Sequence, residues 1–163
     1  MKYPLYILYI LILIASGIFG ILFYKFGGVD FMPYAMIAFG LMGGILGFLR
    51  YNFRNAIIFM GDTGSLVAGF ILAILAIQLV EMRTLVAAPA VAISIIFIPI
   101  FDTVRVFGFR ILKGISPFIP DKNHIHHLLI KANIKSSFVV LILTFFNISV
   151  VLFCLNFTIL GNL

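Results

Sequence analysis

Residues 138–160 read FVVLILTFFNISVVLFCLNFTIL, an uncharged run of 23 residues. A bilayer core about 30 Å thick is crossed by roughly 20 helical residues. Four further uncharged runs occupy residues 5–24, 33–49, 66–80 and 85–101. All five are continuously apolar, without the alternation of an outer-membrane barrel. The sequence therefore predicts an all-α integral membrane protein, a single transmembrane domain over 1–163 with about five transmembrane helices.

The composition excludes several classes of protein. Hydrophobic residues make up 64% of the 163 residues and charged residues 10%, whereas soluble domains have about half and about a quarter. A soluble globular enzyme, a nucleic-acid-binding domain and a disordered tail are excluded on this ground. The single cysteine, Cys154, lies in an apolar run, so a disulfide framework is excluded as well.

The basic residues predict the orientation in the membrane. If the five runs cross in turn, nine of the eleven Lys and Arg residues lie on the side of residues 1–4, and only Lys25 and Arg83 lie on the other. Cytoplasmic loops carry this excess, so we predict a cytoplasmic amino terminus and an outside carboxyl terminus. The multi-pass chain is then expected in the bacterial cytoplasmic (inner) membrane, with membrane lipids as its surroundings.

Glycine and proline give local signals within the runs. Four glycines on the second run form overlapping G-x-x-x-G patterns that favour a closely packed helix interface, with ordinary small-residue packing as the alternative: Gly40, Gly43, Gly44 and Gly47. Pro99 predicts a kink near the end of the fourth run. No ionisable residue lies inside a run, which argues against a small transporter.

The first polar constellation is FMGDTGS at residues 59–65, where the third helix is predicted to begin. Ser65 or Thr63 is expected to cap that helix. The glycines allow backbone N–H groups to face a phosphate, and the Asp62 carboxylate is a hard ligand suited to Mg²⁺. A turn with an N-cap and a solvated aspartate is the alternative.

The second constellation, SPFIPDKNHIHH at residues 116–127, contains all three histidines. Its two prolines are expected to stop the preceding helix, and Asp121 is expected to cap a new short helix in this cytoplasmic loop. His124 and His127 have the spacing of one helical face, unlike His126. The cluster fits hydrogen bonding to phosphate oxygens, a zinc site or a solvated loop, and these three interpretations stay open.

The third constellation is DTVR at residues 102–105, followed by Arg110 and Lys113. Asp102 and Arg105 are three residues apart and are expected to pair on a helix. The basic groups are suited to holding anionic lipid headgroups or a lipid phosphate. A plain orientation signal is the alternative.

In this order, FMGDTGSL (59–66), DTVRV (102–106) and SPFIPDKNHIHHLL (116–129) resemble the polyprenyl-phosphate N-acetylhexosamine-1-phosphate transferase family, glycosyltransferase family 4. The lead into the histidines is similar to the branch that uses UDP-N-acetylglucosamine, and the muramoyl-pentapeptide branch is the second choice. The resemblance implies transfer of N-acetylglucosamine 1-phosphate from the UDP-sugar to undecaprenyl phosphate, with release of UMP, for cell-wall or surface polysaccharides.

The resemblance also implies roles for individual residues. Asp62 is implied as a catalytic residue and Mg²⁺ ligand, and His124 as a catalytic residue. His124, His126 and His127 are implied to contact the diphosphate of the UDP-N-acetylhexosamine. Arg105 is implied to face the polyprenyl phosphate.

The motifs correspond to the carboxyl-terminal half of the family. The family's paired aspartates and its Asp-Gly-x-Asp-Gly motif are not found in this sequence, where Asp30 is the one aspartate before Asp62. We therefore expect the chain to be incomplete by itself, with a missing amino-terminal half or a homo-oligomer as its partner. The alternative is a non-catalytic truncated relative that acts as a membrane assembly or regulatory subunit.

The topology is testable with reporter fusions after residues 27, 60, 83, 120 and 163. The basic asymmetry predicts the readings outside, cytoplasmic, outside, cytoplasmic and outside, in that order. A cytoplasmic signal at residue 163 would contradict the five-span topology.

Overall fold

The computed structural model describes residues 6–52, 58, 60–114, 116 and 124–160. Every regular element in these ranges is an α-helix, which confirms the predicted fold class. In chain order the helices are α1 (Tyr6–Phe26), α2 (Met32–Asn52), α3 (Gly61–Glu81), α4 (Ala88–Ile95), α5 (Phe97–Leu112), α6 (Ile125–Lys131) and α7 (Ser136–Leu160).

Four of these helices, α1, α2, α3 and α7, are long and apolar enough to cross a membrane. The remaining predicted crossing, the fourth run at 85–101, is not one straight helix. It is divided into α4 and α5, which are bent by 72° relative to each other, as in a broken span or a re-entrant loop. The described part of the chain thus contains four spanning helices, or five crossings with the bent pair, as the apolar runs predicted.

Helix α1 is the centre of the bundle. More than half of its apolar window is buried (56%), against 22% in α2, α3 and α7. Tyr9 near its start meets Phe48 near the end of α2, with ring centroids 4.8 Å apart, and Phe23 near its end meets Tyr34 near the start of α2 at 5.7 Å. The two helices are therefore antiparallel, as a short connection requires.

The glycines of α2 do not form the closely packed helix interface that their spacing favoured. A Cβ atom on any glycine of the α2 stripe would meet nothing within 4 Å, so no described element packs closely there: Gly40, Gly43, Gly44 and Gly47. The tight contacts are made by glycines of α1 instead. A Cβ on Gly20 would lie 2.7 Å from the ring of Phe39, and one on Gly17 would lie 3.2 Å from the sulfur of Met42.

A separate apolar cluster gathers several helices at one end of the bundle. It joins the starts of three helices: Ile7 and Leu11 of α1, Ile98 of α5, and Val139 and Leu143 of α7. Helix α6 packs on the same cluster through Ile125, Leu129 and Ile130. Since α2 ends beside the start of α1 and leads into α3, the starts of α3, α5 and α7 share this end with α6.

Pro99 explains the break between α4 and α5. Proline has no N–H for the carbonyl of the residue four positions earlier, and its ring clashes with that carbonyl. Four positions before Pro99 is Ile95, the last residue of α4. The freed Ile95 carbonyl accepts a hydrogen bond from the side-chain amide of Asn147, at 3.2 Å and fully buried. The predicted kink is thus confirmed, and its bonding partner comes from α7.

The helices also extend beyond the uncharged runs, so ionisable residues outside those runs lie on helices. Asp62 lies in the first turn of α3, and Glu81 is the last residue of that helix. Asp102 and Arg105 lie within α5, one half of the bent pair. Helical hydrogen bonding continues through polar residues as long as proline does not interrupt it, which moves these groups onto helices.

Replacement of Asn147 by alanine tests the break. Asn147→Ala leaves the Ile95 carbonyl without its donor in an apolar setting, and we expect the free energy of unfolding to fall by about 1–2 kcal/mol. Asn156→Ala is the matched control, because exposed Asn156 donates to the carbonyl of Leu152 in its own helix, and a change within about 0.5 kcal/mol is expected. Denaturation in detergent measures both, and equal losses would contradict the role of Asn147.

Candidate functional site

Asp62 lies at the end of the bundle where α3 begins. The residue before the helix is Met60, which makes no side-chain cap, so the expected capping by Ser65 or Thr63 is wrong. Both residues are inside the first turns, and the Ser65 hydroxyl donates to the backbone carbonyl of Asp62 at 2.9 Å. The helix starts earlier because Gly61 adopts a left-handed conformation, with φ +65°, that turns the chain directly into it.

The Asp62 side chain is exposed to solvent. Its carboxylate has no hydrogen bond or ion pair within the ranges that the structure describes. An acidic group in the first turn of a helix is stabilised by the N–H groups and partial positive charge of that end. Asp62 therefore presents an exposed carboxylate at the start of α3, with no competing ion pair among the described residues.

Because Gly64 has no side chain, the side chain of Met60 can lie close against the first turn of α3. A Cβ on Gly64 would lie 2.5 Å from Cγ of the Met60 side chain. Met60 itself packs against the main apolar core. The second glycine of the motif thus allows Met60 to fold back onto α3, and this contact anchors the turn that carries Asp62.

Asp102 is the centre of the second part of the site. Its Oδ1 accepts a hydrogen bond from Nη2 of Arg105 at 3.1 Å, which confirms the predicted pair three residues apart. Oδ2 lies 3.0 Å from Nδ1 of His124. Oδ1 also accepts the backbone N–H of Ile125 at 2.9 Å. One carboxylate therefore joins α5 to the first turn of α6.

This contact also changes the expected ends of the neighbouring helices. Helix α6 begins at Ile125 with His124 before it, and the Asp102 carboxylate from α5 accepts the exposed N–H of Ile125. The predicted cap, Asp121, lies outside the described residues. Helix α5 ends at Leu112, before either proline, because Gly114 adopts a left-handed φ of +66°.

The structure brings together some of the predicted site residues. Arg105 and His124 share the carboxylate of Asp102. His126 and His127 lie on α6, but their side chains fall outside the described part of the structure. Asp62 lies at the same end of the bundle without a hydrogen bond to this group among described residues. In those residues no three His, Cys, Asp or Glu side chains are grouped to hold a metal ion, and the zinc interpretation of the histidines stays a prediction.

Sequence reasoning missed the link between Asp102 and His124. The pattern of Asp102 and Arg105 indicated only a local helical pair, and 22 residues separate Asp102 from His124. A usable signal existed in the sequence, because an aspartate in an otherwise apolar helix end needs hydrogen-bond donors from elsewhere. Asn147 carried the same signal inside the longest apolar run and was also missed.

Comparisons with known proteins agree with the motifs. Residues 7–80 match the family model described as glycosyl transferase family 4. Undecaprenyl-phosphate alpha-N-acetylglucosaminyl 1-phosphate transferase of Salmonella typhi is 38% identical over 105 residues, which cover 64% of this chain and 26% of that protein. The Yersinia pestis protein of the same name is 34% identical over 127 residues, covering 76% of this chain and 34% of its own length.

A relative from another organism has a related name. Decaprenyl-phosphate N-acetylglucosaminephosphotransferase of Mycobacterium leprae is 34% identical over 128 residues, covering 72% of this chain and 32% of that protein. No solved structure matches the chain. The predicted resemblance is confirmed, and the chain spans about a quarter to a third of the length of these curated relatives.

The left-handed turn before Asp62 is testable by a pair of glycine substitutions in α3. Gly61→Ala forces a side chain into positive φ and is expected to lower the free energy of unfolding by about 1–2 kcal/mol. Gly69→Ala is the control, since a Cβ there meets nothing within 4 Å and alanine favours a helix interior by about 0.5–1 kcal/mol. Denaturation in detergent should give opposite signs, and equal shifts would contradict the assigned turn.

Proposed function

We propose that this chain, of which residues 7–80 match glycosyl transferase family 4, supplies part of the active site of a polyprenyl-phosphate N-acetylglucosamine-1-phosphate transferase. The donor is UDP-N-acetylglucosamine, the acceptor is undecaprenyl phosphate, and the product besides UMP is the sugar linked to the lipid by a diphosphate. The observation that carries the proposal is the shared carboxylate of Asp102, which holds Arg105 beside His124.

The chemistry needs positive charge and hydrogen-bond donors at a membrane surface. An oxygen of the lipid phosphate forms a bond to the phosphorus that bears the sugar, and the bond from that phosphorus to the bridging oxygen breaks, so UMP leaves with that oxygen. Both reactants are anions that repel each other. Catalysis of such a transfer consists mainly of positioning and electrostatic stabilisation.

The donor set at Asp62 fits Mg²⁺. This ion is bound in enzymes by one or two carboxylates together with substrate phosphates and water. Asp62 offers one exposed carboxylate without a competing cation in the described residues, and the remaining positions fall to the diphosphate and water. When bound, Mg²⁺ neutralises developing charge on the phosphate oxygens. The role of this chain is to hold the carboxylate at the start of α3.

The basic side chains complete the proposed arrangement. His124, His126 and His127 donate hydrogen bonds to the diphosphate, and Arg105 faces the phosphate of the polyprenyl lipid. Arginine and histidine are suited to phosphate because they present N–H donors with positive charge. The long lipid chain requires a site at the bilayer surface, which fits the cytoplasmic side given by the basic residues.

The chain lacks the paired aspartates that its resemblance to the family implies. The sequence contains no adjacent pair of aspartates, and the chain spans 26% of the Salmonella typhi relative. We propose that the remaining aspartates come from a second polypeptide or from further sequence. A non-catalytic assembly or regulatory subunit is the competing function, and it differs in that no added polypeptide would produce turnover.

The decisive substitution is Asp62→Asn, which removes the charge and keeps the shape. UMP release is measured with UDP-N-acetylglucosamine, undecaprenyl phosphate and Mg²⁺, for the chain alone and for the chain co-expressed with the amino-terminal half of the Salmonella typhi relative. We expect no release by the chain alone and Mg²⁺-dependent release by the pair. Asp62→Asn should lower that rate about 100-fold or more, since metal charge stabilisation is worth several kcal/mol.

Asp30→Asn is the matched control. Asp30 is an exposed aspartate in the α1–α2 connection, at the opposite end of the bundle, and its loss should leave the rate unchanged. Strong release by the chain alone would contradict the proposed incompleteness. Equal rates of UMP release for the pair with and without Asp62→Asn would reject the metal role. No UMP release by any co-expressed pair would favour a role as an assembly subunit.

A further inference from the structure

We propose that Asp102 is a positioning residue that holds the imidazole of His124 with its Nδ1–H turned toward α5 and so fixes the orientation of the ring. The inference deepens the proposed function and rests on it for the contact between His124 and a diphosphate. The hydrogen bonds of Asp102 are observed independently of that function.

Asp102 contacts both the ring of His124 and the backbone N–H of the next residue. Through Oδ2 it contacts the ring nitrogen Nδ1 of His124 at 3.0 Å. Through Oδ1 it accepts the N–H of Ile125 at 2.9 Å, which fixes the peptide group that follows His124. The ring of His124 and the peptide group that follows it are therefore both hydrogen-bonded to the Asp102 carboxylate. Rotation of the imidazole away from α5 would break the bond to Nδ1.

The three side chains of the site differ in how far they are exposed to solvent. The side chain of Asp102 is 13% exposed, that of Arg105 is 21% exposed and that of His124 is 39% exposed. The carboxylate is the inner member, where hydrogen bonds are strengthened by exclusion of water. The imidazole is the outer member, so a phosphate arriving from solvent meets the ring and not Asp102.

Hydrogen-bond chemistry then determines the tautomer. An ionised carboxylate only accepts hydrogen bonds, so Nδ1 of His124 must carry its hydrogen toward Asp102. The bond made by one ring nitrogen determines the state of the other. Nδ1 is committed to α5, so the ring donates to a phosphate oxygen through Nε2 only in the form that carries a hydrogen on both nitrogens.

The substitution Asp102→Asn is expected to change which ring nitrogen of His124 carries the hydrogen. Three donors converge on the carboxylate of Asp102: Nη2 of Arg105, the N–H of Ile125 and Nδ1–H of His124. An asparagine has one acceptor oxygen and an NH₂ group that donates. With its oxygen on Ile125 and Arg105, its NH₂ group faces Nδ1 and favours the tautomer with hydrogen on Nε2. Asp102→Asn thus removes the hydrogen from Nδ1 while keeping the side chain's shape.

The first test is spectroscopic and needs no turnover. The chain contains three histidines, so ¹⁵N-histidine labelling gives few ring signals, and His124→Gln identifies those of His124. In lipid nanodiscs we expect Nδ1 of His124 to be protonated in the unmodified chain and in Asp30→Asn. It should lose its hydrogen in Asp102→Asn and regain it in Asp102→Glu, which restores two acceptor oxygens. An unprotonated Nδ1 in the unmodified chain, or no change in Asp102→Asn, would overturn the proposal.

The second test separates positioning from folding in the co-expressed pair. Asp102→Asn should lower kcat/KM for UDP-N-acetylglucosamine about 10- to 100-fold, the usual effect of losing the partner that orients a binding histidine. In a His124→Gln background the same change should cost less than about 3-fold, because the two residues act as a unit. An equal factor in both backgrounds would contradict action through His124. The expected tautomers without UMP release by any pair would uphold Asp102 and reject the proposed function.

Discussion

The buried backbone carbonyl of Ile95 is the constraint on which the arrangement of this chain depends. In an apolar environment a carbonyl without a donor is costly, so spanning helices rarely break. Pro99 breaks the fourth crossing, and the amide of Asn147 supplies the donor that the helix has lost. A polar residue in the middle of α7 thus makes a 72° bend sustainable inside the bundle.

The bend determines what the following residues meet. It redirects α5 at the end of the bundle where α6 and the starts of α1 and α7 form their own apolar cluster. Asp102, one turn beyond Pro99, is thereby placed against the first turn of α6, where it bonds to His124 and Ile125. Asp62 opens α3 at the same end. The polar groups proposed to handle phosphate are therefore organised by apolar packing and by one hydrogen bond within it.

Sequence patterns predicted the parts of the structure that depend on local chemistry. Runs of apolar residues gave the helices, Pro99 gave the kink, and three-residue spacing gave the pair of Asp102 and Arg105. Patterns could not give the partners that cross between helices, because bonds such as Asp102 to His124 depend on how α5 is aimed after the bend. The capping residues of α3 were mispredicted for a related reason, since a left-handed Gly61 starts the helix before the polar residues expected to cap it.

The central claim is that the fourth crossing bends before Phe97 and so aims Asp102 at α6. Spin labels at exposed Ala90 and Leu112, in a Cys154→Ser chain whose single cysteine is removed, test it in lipid bilayers by pulsed electron paramagnetic resonance. A straight helix would separate these positions by about 33 Å. The account predicts a distance several ångström shorter that lengthens in Pro99→Ala. A straight-helix distance in the unmodified chain, unchanged by Pro99→Ala, would contradict it.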